Sequence, residues 1–446
     1  MRGYLSWVAL LAVVFAFRFT QRDILWVEEA YPAAAAIQIQ QHDRHLYRDF
    51  QFDKPPFSAE IYRLWSGRTG WPLRLAGAIY VTLCSWLAFL IARRWWTTRE
   101  AWFAALLLAF YLTLGIPAAV MALAPDLLTI LPVLVAVLAT ICGRPHVAGL
   151  CLGLAVGFNG KALLLLPVLG LAAVPGFVAA VVAPLIAFDT AAMWDQVWRW
   201  GAAYSRDTPI AAPVKEGVVR TLAWCGFQAT AATGSVWFFR REGSRLLALW
   251  IALSLVMVCL GLRFSPRYYL VLLPPVVIAG ARGLSLMPSR ARWIALALLL
   301  IPAARFGPRH ASLDNWADTA MNRDSAAAAG LISARAKPGD TILVWGYRPD
   351  ILVYTRLPLG TPFLDSQPLT GVIADRHLTR SDATFPALAA RNRARLAALS
   401  PTWVVDGLGP YNPELAISRY SDLETWLARY VLLAQTGGTR IYRLRN

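Results

Sequence analysis

Apolar runs of roughly 15 to 20 residues divide most of this chain, and that rhythm constrains its fold more than any other feature. They fall near 4–19, 72–92, 101–117, 125–142, 147–158, 160–174, 176–190, 217–238, 246–262, 268–284 and 292–306. A bilayer is the solvent that suits such runs, because a helix satisfies its own backbone there. Composition agrees: 57% of the residues are hydrophobic and 15% charged, against about 25% charged in a soluble domain. These values exclude a soluble enzyme, a disordered chain and a disulfide-stapled secreted domain. The opening MRGYLSWVALLAVVFAFRF has no small-residue cleavage site behind its apolar run and is expected to stay as the first span.

The net charge of +17 does not imply nucleic acid as a partner, since no aromatic-basic module accompanies it. Membrane proteins gather Arg and Lys in cytoplasmic loops, beside anionic lipid. Arg93, Arg94 and Arg99, then Arg144, then Arg240, Arg241 and Arg245, then Arg282, Arg290 and Arg292 each follow an apolar run. All land on one side if the N-terminus lies inside and the chain crosses about eleven times. The expected fold is therefore an α-helical polytopic protein of the cytoplasmic (inner) membrane, with its C-terminal region outside. Residues 147–190 must cross an odd number of times, and three short helices are expected, parted at Asn159-Gly160 and Pro175-Gly176.

Residues 1–306 form the membrane domain, with outer loops at 20–71 and 191–216. The second carries Tyr204, Arg206 and Asp207 with little local signal. Residues 307–446 read as a small extracytoplasmic α/β domain. TILVWGY and TWVVDGL are expected as buried strands, VLLAQTGGTRIYRLR as a hairpin, and SAAAAGLISARA, FPALAARNRARLAAL and YSDLETWLARY as helices. The five cysteines all precede residue 300, so this domain has neither a disulfide framework nor a CxxC pair. It carries no GxGxxG fingerprint and no P-loop. The role expected of it is a structural or acceptor-docking lid.

Ionisable residues crowd the first outer loop, WVEEAYPAAAAIQIQQHDRHLYRDFQFDKPPF. Its alanine-rich part is expected as an amphipathic helix on the membrane surface. Glu28 and Glu29 stand where the first span meets that helix. They are either solvated residues of its first turn or carboxylates lining a wet cavity. Lys54 precedes two prolines that stiffen its backbone. Only four lysines occur in the whole chain, and a compact ammonium is a different tool from an arginine fork. Lys161 lies in an otherwise apolar run, where it snorkels or meets an anion. Asp126 opens a span, as a cap or as a site residue. Arg267, Tyr268 and Tyr269 mark the outer end of another, where interfacial anchoring is the alternative. His42 and His45 are spaced to share a helical face and, with Asp53, to hold a metal.

The order of these motifs resembles the GT-C glycosyltransferases, most of all the protein O-mannosyltransferases and lipid A aminoarabinose transferases. The resemblance covers roughly residues 1–290. It rests on Glu28-Glu29, Tyr47-Arg48-Asp49, Asp53-Lys54-Pro55-Pro56, Asp126, a G-L-x-x-G-x-x-K-like run ending at Lys161, and Arg267-Tyr268. The acidic pair of those enzymes is usually Asp-Glu, so Glu28 reaches one methylene further. The resemblance implies a polyprenyl-phosphate sugar donor and an active site on the outer membrane face. Glu28 would then be the general base, with Glu29 and Asp126 orienting it or the acceptor. Lys54, Lys161, Arg267 and Tyr268 would hold the donor phosphate, supported by Tyr47, Arg48 and Asp53. No cofactor is required, although a divalent metal on Asp53 and His45 is compatible with the pattern. The sugar and the acceptor, whether glycan, lipid or protein, are not specified. A transporter or flippase for a lipid-linked or anionic substrate is the alternative reading.

Overall fold

The computed structural model describes residues 2–206, 210–312 and 317–445. Asp207, expected in the second outer loop, lies outside them. Helices fill the apolar runs: Arg2–Phe19, Trp71–Trp95, Thr98–Tyr111, Pro125–Ile141, Pro145–Val156, Val174–Ala187, Arg245–Cys259 and Leu273–Leu286. Among the described residues two helices, Trp71–Trp95 and Ser289–Ala311, are long and apolar enough to cross a membrane. A third span results if Leu171–Ala187 and Thr190–Arg206, bent by 113°, count as one. The other apolar helices have 10–17 residues, short of the about 20 that a bilayer core asks for.

Helix Trp71–Trp95 is the centre of the bundle and packs on the first helix, Thr98–Tyr111 and Ile130–Ile141. Ala229–Arg241 and Leu273–Leu286 meet backbone to backbone through glycines. A Cβ on Gly283 would stand 1.7 Å from the Gly234 carbonyl oxygen, so only glycine permits that approach.

Several expectations change. The alanine-rich helix, Val27–His42, does not lie on a membrane surface. Glu29 through Gln38 are all buried, because small alanines let the C-terminal domain close over them. Gln38 donates to the Leu357 carbonyl (3.0 Å) and accepts from the Leu359 N–H (2.9 Å). The second outer loop is largely helical, running to Arg206 through a stretch of π-helix. The run 147–190 does form three helical pieces, but the second break falls at Gly170, whose φ of 80° ends the turn. Pro175 instead starts the next helix, where a missing N–H costs nothing. The run 217–238 is two helices that meet at Gln228.

The C-terminal domain is a four-stranded mixed sheet in the order β1-β2-β4-β3. β1 (Ile342–Trp345) and β2 (Trp403–Asp406) are parallel and wholly buried. β3 (Tyr430–Gln435) and β4 (Arg440–Leu444) are the expected hairpin. Helices Ala317–Ser333 and Pro386–Ala397 are also present. YSDLETWLARY is no single helix: a 3-10 turn at Ser421–Leu423 is followed by one α-turn at Glu424–Leu427.

Candidate active site

A cavity of about 550 Å³ separates the helical bundle from the C-terminal domain, within the usual range for a ligand site. Its floor is made of element ends. Glu28 comes from the first turn of helix Val27–His42, Asp53 and Lys54 from the loop that follows it, and Asp126 from the start of Pro125–Ile141. Asn159 and Lys161 open a 3-10 turn, and Arg267 and Tyr268 lie in the turn Pro266–Val271. Six of the residues singled out from sequence for base or phosphate duty therefore surround one space.

Charges on the floor are paired with one another. The Arg267 guanidinium bonds Glu28, and its Nε is 3.9 Å from Asp126. Asn159 donates to Asp126 at 2.8 Å and caps the Lys161 turn. Lys161 Nζ donates to the Leu260 carbonyl (3.0 Å) and sits 4.1 Å from the centre of the Tyr268 ring. Lys54 meets Asp53 at 3.3 Å. Burial pushes the Glu28 carboxyl up, but Arg267 and Lys54 together hold it below its usual value. Glu28 is thus ionised at neutral pH, with its charge already engaged.

The Lys54 loop is anchored well. Tyr47, a residue with φ of 68°, donates its hydroxyl to the Lys54 carbonyl at 2.8 Å. The Asp53 N–H donates to Tyr31, whose ring stacks on Phe52 at 5.0 Å. Gln196 holds the Phe52 N–H and the Tyr47 carbonyl. This places Tyr47 as a brace for the backbone.

Three sequence candidates lie elsewhere. Glu29 is fully buried and points away from the cavity. Its two oxygens take a bidentate pair from Arg74 (2.9 and 2.7 Å) and the Leu123 N–H (3.0 Å). Arg74 and the buried Arg18 also saturate carbonyls at residues 21, 24, 120 and 121. Consecutive helical residues point about 100° apart, so one turn carries both a cavity carboxylate and a core carboxylate. Arg48 and His45 are exposed and bound to Asp49. The expected metal set does not assemble: His42 bonds the Arg356 carbonyl and His45 bonds Asp49, away from Asp53. Among the described residues no three His, Cys, Asp or Glu side chains are grouped to hold a metal.

Sequence reasoning missed the roof. It comes from the C-terminal domain and includes Asn322, Tyr347, Asp350, Gln367 and His377. Gly346-Tyr347 and Gly407-Leu408 follow the carboxyl ends of the parallel strands β1 and β2, where open α/β sheets place their ligands. A polar GYRPD directly after a buried strand was the available signal. Asn322 also clamps the entry to the floor, because its amide accepts from the Leu25 N–H (3.3 Å) and donates to the Leu25 carbonyl (3.0 Å).

No family model matches this sequence, and no curated protein is significantly similar to it. The fold, however, has solved relatives. ArnT from Cupriavidus metallidurans bound to undecaprenyl phosphate superposes with a TM-score of 0.62 at 14% identity, over 99% of this chain and 97% of that one. The apo oligosaccharyltransferase of Archaeoglobus fulgidus gives 0.50 at 12% identity, over 92% and 70%. At these identities the likeness is one of fold, which the present chain shares with both proteins.

Proposed function

We propose that this chain is a membrane glycosyltransferase that moves a sugar from a polyprenyl-phosphate donor to a hydroxyl acceptor, with inversion. The observation that carries the reading is one cavity in which Glu28 faces Lys54, Lys161 and Arg267. The GT-C fold, shared with a protein bound to undecaprenyl phosphate, supports it. The charge layout also supports an outer-face site. Helix Trp71–Trp95 runs from Arg74, which pairs with Glu29 next to Glu28, to Arg93 and Arg94, about 30 Å away at 1.5 Å per residue. At that far end Arg282 bonds both Glu100 and Glu242. Basic loops at one end and the cavity at the other favour a cavity, C-terminal domain and second loop on the outer side.

In this mechanism the donor phosphate displaces Glu28 from Arg267. Arg267, Lys54 and Lys161 then neutralise the phosphate, and Glu28 loses the cation that suppressed its basicity. The freed carboxylate accepts the proton of the acceptor hydroxyl as general base. The acceptor oxygen bonds to the anomeric carbon while the bond from that carbon to the phosphate oxygen breaks on the opposite face. Lipid monophosphate leaves. One carboxylate with no covalent sugar intermediate distinguishes this from the retaining route. Asp126 shares Arg267 and orients it. Pairing the base with the phosphate cation protects the empty enzyme from activating water.

The test is transfer from radiolabelled undecaprenyl-phosphate pentoses and hexoses to envelope acceptors, with the purified chain in vesicles. Wild type transfers label. Glu28→Gln keeps undecaprenyl phosphate binding and loses about 10²- to 10⁴-fold in rate. Wild-type transfer by that variant removes Glu28 as base. Label that crosses the vesicle without reaching an acceptor replaces the transferase with a transporter.

A further inference from the structure

Both lysines of the cavity floor stand outside the long helices. Lys54 lies in the loop before helix Phe57–Arg63, and Lys161 in the 3-10 turn Gly160–Leu165. The helix Thr190–Arg206 of the second outer loop touches both segments. Its residues Trp194–Arg199 are π-helical, a rare form that collects at functional sites. Gln196 reaches the Lys54 loop: its Oε1 accepts from the Phe52 N–H at 2.9 Å, and its Nε2 donates to the Tyr47 carbonyl at 2.8 Å. One side-chain amide thus closes the loop 47–52 much as a neighbouring strand would. The Tyr47 hydroxyl carries that hold on to the Lys54 carbonyl, 2.8 Å away.

Trp198 reaches the other segment. The far edge of its ring lies so close to Gly160 that a Cβ there would stand 2.7 Å from it, and Gly160 immediately precedes Lys161. Residues two apart point to nearly opposite sides of a helix, so this helix sits between the two segments. It is itself held in place. Trp200 is buried against Phe385 of the C-terminal domain, ring centres 4.8 Å apart, and the Tyr204 carbonyl accepts from Arg263 at 3.0 Å. Neither Gln196 nor Trp198 lines the cavity, so each meets a bound phosphate only through the lysine beside it. Attraction between charges falls with their separation. A phosphate therefore gains from both ammonium groups only when the two are spaced to reach it together.

We infer that Gln196 and Trp198 are positioning residues for the donor phosphate. Gln196 sets Lys54, Trp198 sets Lys161, and the helix between them fixes the spacing of the two ammonium groups. No covalent step occurs there. This role rests on the glycosyl-transfer reading and adds the element that keeps its phosphate cations in register.

Undecaprenyl phosphate binding to the full chain in nanodiscs, in single and double variants, tests it. Gln196→Met keeps the length of the side chain and removes both hydrogen bonds; it weakens binding about tenfold. Trp198→Leu takes the ring edge from Gly160 and weakens binding about fivefold. In the transfer assay both raise the donor KM and leave the acceptor KM unchanged. The lysine backgrounds separate positioning from general damage. With Lys54→Ala already present, Gln196→Met costs almost nothing more, whereas with Lys161→Ala it costs its full factor. Trp198→Leu shows the reverse. Should either variant fail to fold, Gln196→Asn, too short to span both backbone groups, and Trp198→Phe carry the same test. Equal losses in the two lysine backgrounds, or no loss in the single variants, overturn the positioning role. If binding still depends on the lysines, the glycosyl-transfer reading stands without it; no binding by wild type, or binding indifferent to both lysines, removes that reading as well.

Discussion

The floor and the roof of the cavity meet the same solvent, yet they are built on opposite principles. On the floor most charges are met by an opposite one, Arg267 by Glu28 and Asp126 and Lys54 by Asp53, while Lys161 rests on the Leu260 carbonyl and the Tyr268 ring. In the roof the polar side chains are tied within their own domain, Asp350 accepting from Asn322 at 3.1 Å and His377 bonding the Val372 carbonyl at 2.9 Å. A paired floor stays stable when empty and rearranges when an anion enters. The two roof hydrogen bonds run inside their own domain and involve no partner from the floor.

The comparison breaks first at the cations. Lys54→Ala and Arg267→Ala should each lower transfer about 10²- to 10³-fold, with the donor KM raised and the acceptor KM little changed. A rise in acceptor KM instead would move these cations to the acceptor side. A second test separates chemistry from scaffold within one helical turn. Glu29→Gln strands Arg74 and Arg18 without their counter-ion, and losing one partner of a buried pair costs about 3–5 kcal/mol. Differential scanning should show a large fall in Tm for Glu29→Gln and little for Glu28→Gln. Equal falls would mean that Glu28 is as structural as its neighbour.

The third test lies at the seam between the two faces. Burial, and then the nearby Asp53, push the Asp365 carboxyl up to about 7. Its unfolded value is about 3.9. Between these values the folded chain keeps a proton that the unfolded chain has shed. Stability therefore falls as pH rises from about 4 to 7, and the loss is complete above about 7. Asp365→Asn should flatten that part of the Tm-against-pH curve, and its advantage over wild type should be largest at pH 8. Parallel curves would show that Asp365 ionises as freely in the fold as outside it.

Much of the helical part was legible because apolar length and turn-breaking residues act locally. Lys54 was legible for a different reason: lysine is scarce here, and Pro55-Pro56 fix its backbone. Glu29 was not, because its partner Arg74 lies 45 positions away in a run that reads as membrane. The buried state of helix Val27–His42 depends on Leu357 and Leu359, more than 300 residues further on. No local pattern distinguishes a helix covered by lipid from one covered by a domain. The strands of the C-terminal domain were visible as β-branched runs, whereas the inward-facing Asp350 and His377 are single polar residues among many. Only the parallel pairing of β1 and β2, a long-range event, turns the loops after them into a site.

Asn322 grips both backbone groups of Leu25, three residues before Glu28, the proposed base. A tilt of the C-terminal domain large enough to admit a bulky glycan would drag that segment with it and swing Glu28 out of line. Opening to a glycan and disarming the proposed base would, by this linkage, be one movement.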